Sequence, residues 1–315
     1  MIIWNEGTLN REFLESSTTG NLRATLRALL PNREIKGKSR EDLFERFTVE
    51  DQNISFNGLT EAFWKLVDDE LRGQFHVMEI ANPHWANFDR ETVSTTRLTQ
   101  IKDIMYGRTH FSTDEIIDAR IVGGNGNRHF DMLLIGEAAA EQRSENDDRE
   151  EDGFVFKAFK QVMVPILSKV VLGIDNNNCQ IITRPVHRDT SPREEMGAIQ
   201  QRIEYELGCP FPSLAAIPDA LRTLLVEGRL TISKIASEGE DGAKSAYTAP
   251  KGHRNADTEE IEERLKGWET KSGVLTLDQA TVFRVDSTRA VFSFWGKTTI
   301  EEARNAIQTI RANMP

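Results

Sequence analysis

Cysteine is scarce in this chain: 315 residues hold two, Cys179 and Cys209. Neither lies in a CxxC pair, which removes the common zinc-ribbon and dithiol spacings. So low a count suits a reducing cytosol better than a disulfide scaffold. Each thiol is expected to be structural rather than nucleophilic. Histidine is thin as well, with six residues scattered along the chain. No HxxxH, HxH or HExxH occurs, so a local zinc site has no support.

Long uncharged apolar runs are also missing. The most apolar stretch, Phe154 to Ile174, is interrupted by Lys157, Lys160 and Lys169 and contains Pro165. A membrane helix needs about 20 apolar residues with few charges. The stretch is expected instead to be a buried central helix, kinked at the proline. The opening MIIWNEGTLNREF has no basic region followed by an apolar one, so no signal peptide is expected. Positive charge is the minority sign: 39 Lys and Arg against 50 Asp and Glu, a net charge of -11. The surface as a whole is therefore not expected to attract nucleic acid or anionic membrane, although local basic patches can.

Familiar catalytic signatures are absent too. No GxSxG elbow occurs, and HRDTSP at His187 has no DFG or glycine-rich loop to make it a kinase. It reads as the polar turn before a helix. The segment GGNGNRHFDMLLIGE, Gly123 to Glu137, has Gly124 and Gly126 but His129 where a dinucleotide fingerprint needs a third glycine. No Walker loop is found there, and a strand-like run follows. Asn125-Gly126 instead marks a hairpin turn between two β-rich runs.

That hairpin raises one chemical alternative. Asp118 lies on its first strand, with Asp131 and Glu137 on its second. Magnesium-dependent nucleases hold a hard cation with carboxylates on such hairpins. The PD-(D/E)xK nuclease pattern would place a (D/E)xK on the next strand. The tripeptide Glu269-Thr270-Lys271 lies after a helix and far along the chain, so the match is poor. Asp118, Asp131 and Glu137 stand as weak catalytic candidates. No cofactor is expected, and Mg²⁺ enters only with the nuclease alternative.

What is present points to an α+β fold. Hydrophobic residues make up 38% of the chain, enough for a sizeable core. The first third reads as short amphipathic helices. Leu22, Leu26, Leu29 and Leu30 share one face, Ser39 and Asp42 form a weak capping box, and Phe63, Leu66, Val67 and Leu71 form a stripe. FHVMEI is a short strand, and Leu98, Ile101, Ile104 and Met105 mark another helix. A helical N-terminal domain is expected over 1–110 and an α+β domain over 111–315. Mobile loops are expected near 141–153 and 237–257, both poor in apolar residues. CQIITRPV and RLTISKIA read as strands. Ser191, Pro192 and Glu194 open a helix that Gly208 stops. The end reads as a ββα unit: one strand over 273–286, a second at RAVFSFW, and a helix capped by Thr299 and Glu302.

Two basic segments stand out against the acidic total. One holds Arg33, Lys36, Lys38 and Arg40, and the other Lys244, Tyr247, Lys251 and Arg254. Such loops can clasp phosphates, and the tyrosine can stack on a base. The functional expectation is a non-enzymatic subunit of a cytosolic complex that binds nucleic acid or a protein partner through these loops. The alternatives are the magnesium-dependent nuclease or phosphoesterase and a structural homo-oligomer. A role in bacterial defence against phage or mobile DNA is suggested only by the missing household motifs, and no residue carries it.

Overall fold

The computed structural model describes residues 56–68, 75–80, 89–106, 115–124, 126–143, 147–151, 154–176, 179–184, 192–208, 217–238, 244–248, 269–295 and 298–314. Outside these it describes the pairs 4–5 and 110–111 and scattered positions, mostly before residue 44. The expected helices over 21–30 and 39–47 therefore fall largely outside the described residues. At their visible positions Leu26 and Leu43 are buried, and Ser39 Oγ accepts from the Asp42 amide at 3.1 Å.

The fold is α+β, with helices packed on one large antiparallel sheet. Among the described residues there are fourteen strands and five helices. The strands β1 (Trp4–Asn5) and β3 (His110–Phe111) pair with each other. Ten strands form the main sheet: β2 (Phe75–Ile80), β4 (Glu115–Val122), β5 (His129–Arg143), β8 (Phe159–Gly173), β9 (Cys179–Arg184), β10 (Leu230–Glu238), β11 (Lys244–Thr248), β12 (Glu269–Leu277), β13 (Thr281–Asp286) and β14 (Val291–Phe294). Their order is β11-β10-β12-β13-β14-β2-β9-β8-β5-β4. The short strands β6 (Arg149–Glu151) and β7 (Phe154–Phe156) make a separate hairpin. The helices are α1 (Phe56–Asp68), α2 (Arg90–Met105), α3 (Pro192–Leu207), α4 (Ile217–Val226) and α5 (Ile300–Ala312).

Early in sequence, β2 lies in the middle of the sheet. It joins a meander of β4, β5, β8 and β9 to a second one built from the C-terminal strands, pairing Val77 with Ile182 on one side and Phe292 on the other. Strand residues alternate between faces. One face carries Phe75, Val77, Phe283, Val285, Phe292 and Phe294, which form a core with Leu221 and Leu224 of α4 and Ile307 and Ile310 of α5. The opposite face of the β4–β2 half carries Phe130, Met132, Leu134, Val170, Leu172 and Ile181. Ile101 of α2 and Met196, Ile199 and Ile203 of α3 cover it.

Residues 154–174 are not a helix. They form β7 and β8, and every residue from Leu167 to Ile174 is buried. A strand packed on both faces shows no alternation, so its pattern matches that of a buried helix segment. Its β-branched residues, Val162, Val164, Ile166, Val170 and Val171, were the deciding signal. Pro165 pairs with Glu137 beyond Leu167, the last residue that β9 covers. One flank of β8 carries no ladder there, where a missing N–H is tolerated.

Two further expectations change. Residues 273–286 form a hairpin of two strands, β12 and β13, turning through Asp278 and Gln279 at φ +48° and +58°. Residues 244–248, expected within a loop, form β11 on the edge beside β10. At the expected hairpin turn Asn125 lies outside the described residues. The Asn127 amide donates to the Gly124 carbonyl at 3.0 Å, and Gly126 sits at φ +86°. The capping box at Thr299 is complete, with Glu302 reaching back to the Thr299 amide at 2.7 Å.

Phe292 is fully buried and lies 6.0 Å from the Phe283 ring, centroid to centroid. Phe292→Ala is expected to cost about 3–5 kcal/mol of stability, read as a lower urea midpoint at unchanged slope.

Candidate functional site

Asp118 and Asp131 face the same side of the hairpin, Asp118 pairing with Leu133 and Asp131 with Arg120. Asp131 is fully buried on β5, and Asp118 on β4 faces a different partner. Glu137 lies six residues beyond Asp131 on the same strand, about 20 Å along it at roughly 3.3 Å per residue. Its side chain lies outside the described residues. Glu269-Thr270-Lys271 opens β12, which five strands separate from β5.

A different set meets Asp131. Lys169 on β8 pairs with Leu133, and Asp131 pairs with Val171, so the two side chains sit diagonally on one face. Helix α1 crosses that face and brings Trp64 and Asp68. The Lys169 Nζ lies 2.7 Å from Asp131 Oδ2 and 2.6 Å from Asp68 Oδ1. Arg120 of β4 pairs with Asp68 Oδ2, and His129 Nδ1 meets Asp131 Oδ1. Trp64 Nε1 donates to Asp118 Oδ2 at 2.7 Å, and the Arg120 guanidinium lies 4.0 Å from the Trp64 ring centroid. Lys169 is 2% exposed and Asp131 0%. A buried charge without a partner is very costly, which is why each charge here has one.

Chemically, this is a self-neutralising cluster with an ammonium between two carboxylates. Among the described residues no group of three or more His, Cys, Asp and Glu is placed to hold a metal ion. Sequence reasoning missed Asp68, Arg120, His129 and Lys169. Lys169 did leave a signal, as a cation inside a run buried on both sides.

The same face holds a second ionic contact. Glu79 on β2 pairs with Arg311 Nε at 2.6 Å and accepts from Gln180 on β9, so it ties α5 to the sheet. Burial pushes the Glu79 carboxyl up to about 7, against the pull of Arg311 and Gln180. On the other face, burial and then nearby Arg284 push His76 down to about 4. His76 Nδ1 lies 2.7 Å from Ser293 Oγ, and its Nε2 is buried without a hydrogen-bond partner. Burial also raises the Cys179 thiol to about 11, which leaves it un-ionised and a poor nucleophile. Cys209 lies outside the described residues.

The basic segments are only partly visible. Lys36 pairs with Glu34 at 2.7 Å, both side chains being well exposed. Arg33, Lys38 and Arg40 lie outside the described residues, as do Lys251 and Arg254. Lys244 opens β11 opposite Glu238. Tyr247, half-buried, packs against the core instead of standing free for stacking.

Strands β5 and β8 form a ribbon that runs past β4 and β9. Strand β4 stops at the pair Glu115↔Ile135, and β9 stops at Arg184↔Leu167. Among the described residues, the two strands pair only with each other from Gly136↔Ile166 to Arg143↔Phe159. The ribbon is about 23 Å long at roughly 3.3 Å per residue. The β6–β7 hairpin is inserted at its end. It exposes Phe154 (68%), Val155 (65%) and Phe156 (55%), opposite Glu151, Glu150 and Arg149. The segment expected as a mobile loop near 141–153 thus contains strand over 141–143 and 149–151.

No protein-family model matches the chain, and no curated protein matches its sequence. Among the described residues no helix is long and apolar enough to cross a membrane.

Two outcomes follow from the buried charges. Lys169→Met strands two carboxylates and is expected to cost about 3–5 kcal/mol in urea unfolding, with part of the loss recovered when Asp131→Leu is added. For pH, Glu79 has a raised folded value, so its contribution is complete below its ordinary 4.5 and is lost as pH rises through about 7. His76 has a lowered folded value, so its contribution is complete above 6.5 and is lost as pH falls through about 4. Glu79→Gln should flatten the first slope and His76→Gln the second, measured as urea midpoints across that window.

Proposed function

We propose that this chain is a non-enzymatic subunit of a cytosolic protein complex and that it grips its partner with the β5–β8 ribbon. The observation that carries this is the exposure of Phe154, Val155 and Phe156 together on the terminal hairpin. Monomeric proteins rarely leave aromatic residues clustered in water, and such clusters mark interaction surfaces. An isolated two-stranded ribbon is also marginal in water, so a covering partner would stabilise the arm. The scarcity of cysteine supports a reducing compartment. A nucleic-acid contact through Lys36, Lys244, Lys251 and Arg254 belongs to the same proposal as a secondary role. The acids of the arm would repel phosphates, so that contact would lie elsewhere on the surface.

One observation favours a second proposal. The carboxylates of Asp68 and Asp131 converge from a helix and a strand on a single point, as hard-cation ligands do. A magnesium-dependent phosphoesterase would have to move Lys169 aside to use them. Cleavage of DNA or RNA that needs Mg²⁺ and disappears in Asp131→Asn would establish it. No cleavage with Mg²⁺ would remove it.

The primary proposal is tested by a photo-crosslinking residue placed at Phe156 in the full chain inside producing cells. A discrete crosslinked product is expected there and not at Val226, an equally exposed position on α4. Equal, diffuse labelling at both positions would contradict it.

A further inference from the structure

A polar row crosses the middle of the sheet on the face opposite Phe283 and Phe292. Register pairs Ser168 with Thr183, Thr183 with His76, His76 with Ser293 and Ser293 with Arg284. Paired side chains on one face of such a ladder stand about 5 Å apart. The row runs from the interior to the surface. Ser168 and Thr183 are fully buried with their hydroxyl oxygens 3.0 Å apart, and His76 is 2% exposed. Ser293 is half-buried and Arg284 exposed. One pair along, Met78 and Val291 belong to the core with α2 and α3, so the row follows the edge of that core. Among the described residues no carboxylate pairs with Arg284. Asp286, two residues along on the same face, is engaged by Thr288.

The histidine decides what the serine can offer. Burial and then Arg284 push His76 down to about 4, so at neutral pH its ring is uncharged and carries one N–H. His76 Nδ1 lies 2.7 Å from Ser293 Oγ, and Nε2 is buried without a hydrogen-bond partner. A buried N–H is left unpaired less readily than a buried acceptor. The proton therefore belongs on Nδ1, which donates it to Ser293 Oγ. The Ser293 hydroxyl proton is then free to be donated to a third group. We propose that Arg284 and Ser293 bind an oxyanion carried by a small molecule, with His76 as the residue that positions the serine hydroxyl. A guanidinium fork and a hydroxyl about 5 Å apart suit such a group, because its oxygens accept from both donors. The half-buried serine draws the anion partly out of water, where a charge-assisted hydrogen bond is stronger. A phosphoryl group and a carboxylate share this chemistry. The site is independent of the arm and of its partner.

Nuclear magnetic resonance of the full chain tests this, with inorganic phosphate and acetate titrated separately at neutral pH and constant ionic strength. Saturable shifts are expected at Arg284, at Ser293 and at the indole N–H of Trp295, which lies two residues beyond Ser293 and is 40% exposed. Tighter binding of phosphate identifies a phosphoryl source, and tighter binding of acetate a carboxylate one. Arg284→Gln, at an exposed position, should abolish saturation. Ser293→Ala should weaken binding by about tenfold. His76→Leu should weaken it as much, with no further loss when the two are combined, whereas His76→Asn keeps an N–H near the Nδ1 position and should bind like the wild type. Shifts that never saturate with either anion, or saturable binding that survives Arg284→Gln, would overturn the inference. Full binding by His76→Leu would overturn the role given to His76.

Discussion

The pairing of β5 with β8 is the constraint on which the rest of this structure depends. Its ladder runs unbroken from His129↔Gly173 to Arg143↔Phe159. Side chains alternate along it, so a slip of one residue would send every side chain to the opposite face. If β8 slipped, Lys169 would point at the apolar layer of α2 and α3 and Val170 would meet Trp64 and Asp68, leaving Asp131 without its ammonium partner. The ion cluster therefore does more than satisfy its own charges. It makes one register far better than its neighbours, in a stretch where hydrophobicity alone would tolerate either.

Each end of that ladder has a separate consequence. At the His129 end the strands have neighbours on both sides and helices on both faces, and the charges are locked. At the Arg143 end the same two strands run past β4 and β9 and, among the described residues, pair only with each other. The ion cluster lies at one end of the ladder, and the exposed Phe154, Val155 and Phe156 lie on the hairpin beyond the other.

Local signals in the sequence were legible where one or two residues decide the structure. The turn at Gly126, the Thr299–Glu302 box and the glycine after α3 each act over a few bonds. Strands β2, β9 and β10 could be read from their β-branched content. Legibility failed where tertiary packing overrides pattern. Residues 159–173 are buried on both faces in their second half, so the alternation that marks a strand vanishes. The turn at Asp278 and Gln279 uses non-glycine residues at positive φ, which a search for glycine misses. The ion cluster was half legible. Asp131 and Asp118 were visible as acids on a hairpin, but Trp64 lies 54 residues from Asp118 and Asp68 lies 101 residues from Lys169. Only the register of the sheet and the crossing of α1 bring them together.

The central claim is that the ribbon is an ordered arm held by a partner, and amide hydrogen exchange on the intact protein tests it most directly. The account predicts slow exchange across 136–143 and 159–166 at high protein concentration, and faster exchange there on dilution, while 129–135 and 167–173 stay protected throughout. Exchange in the ribbon at the rate of an unstructured chain, whatever the concentration, would contradict it.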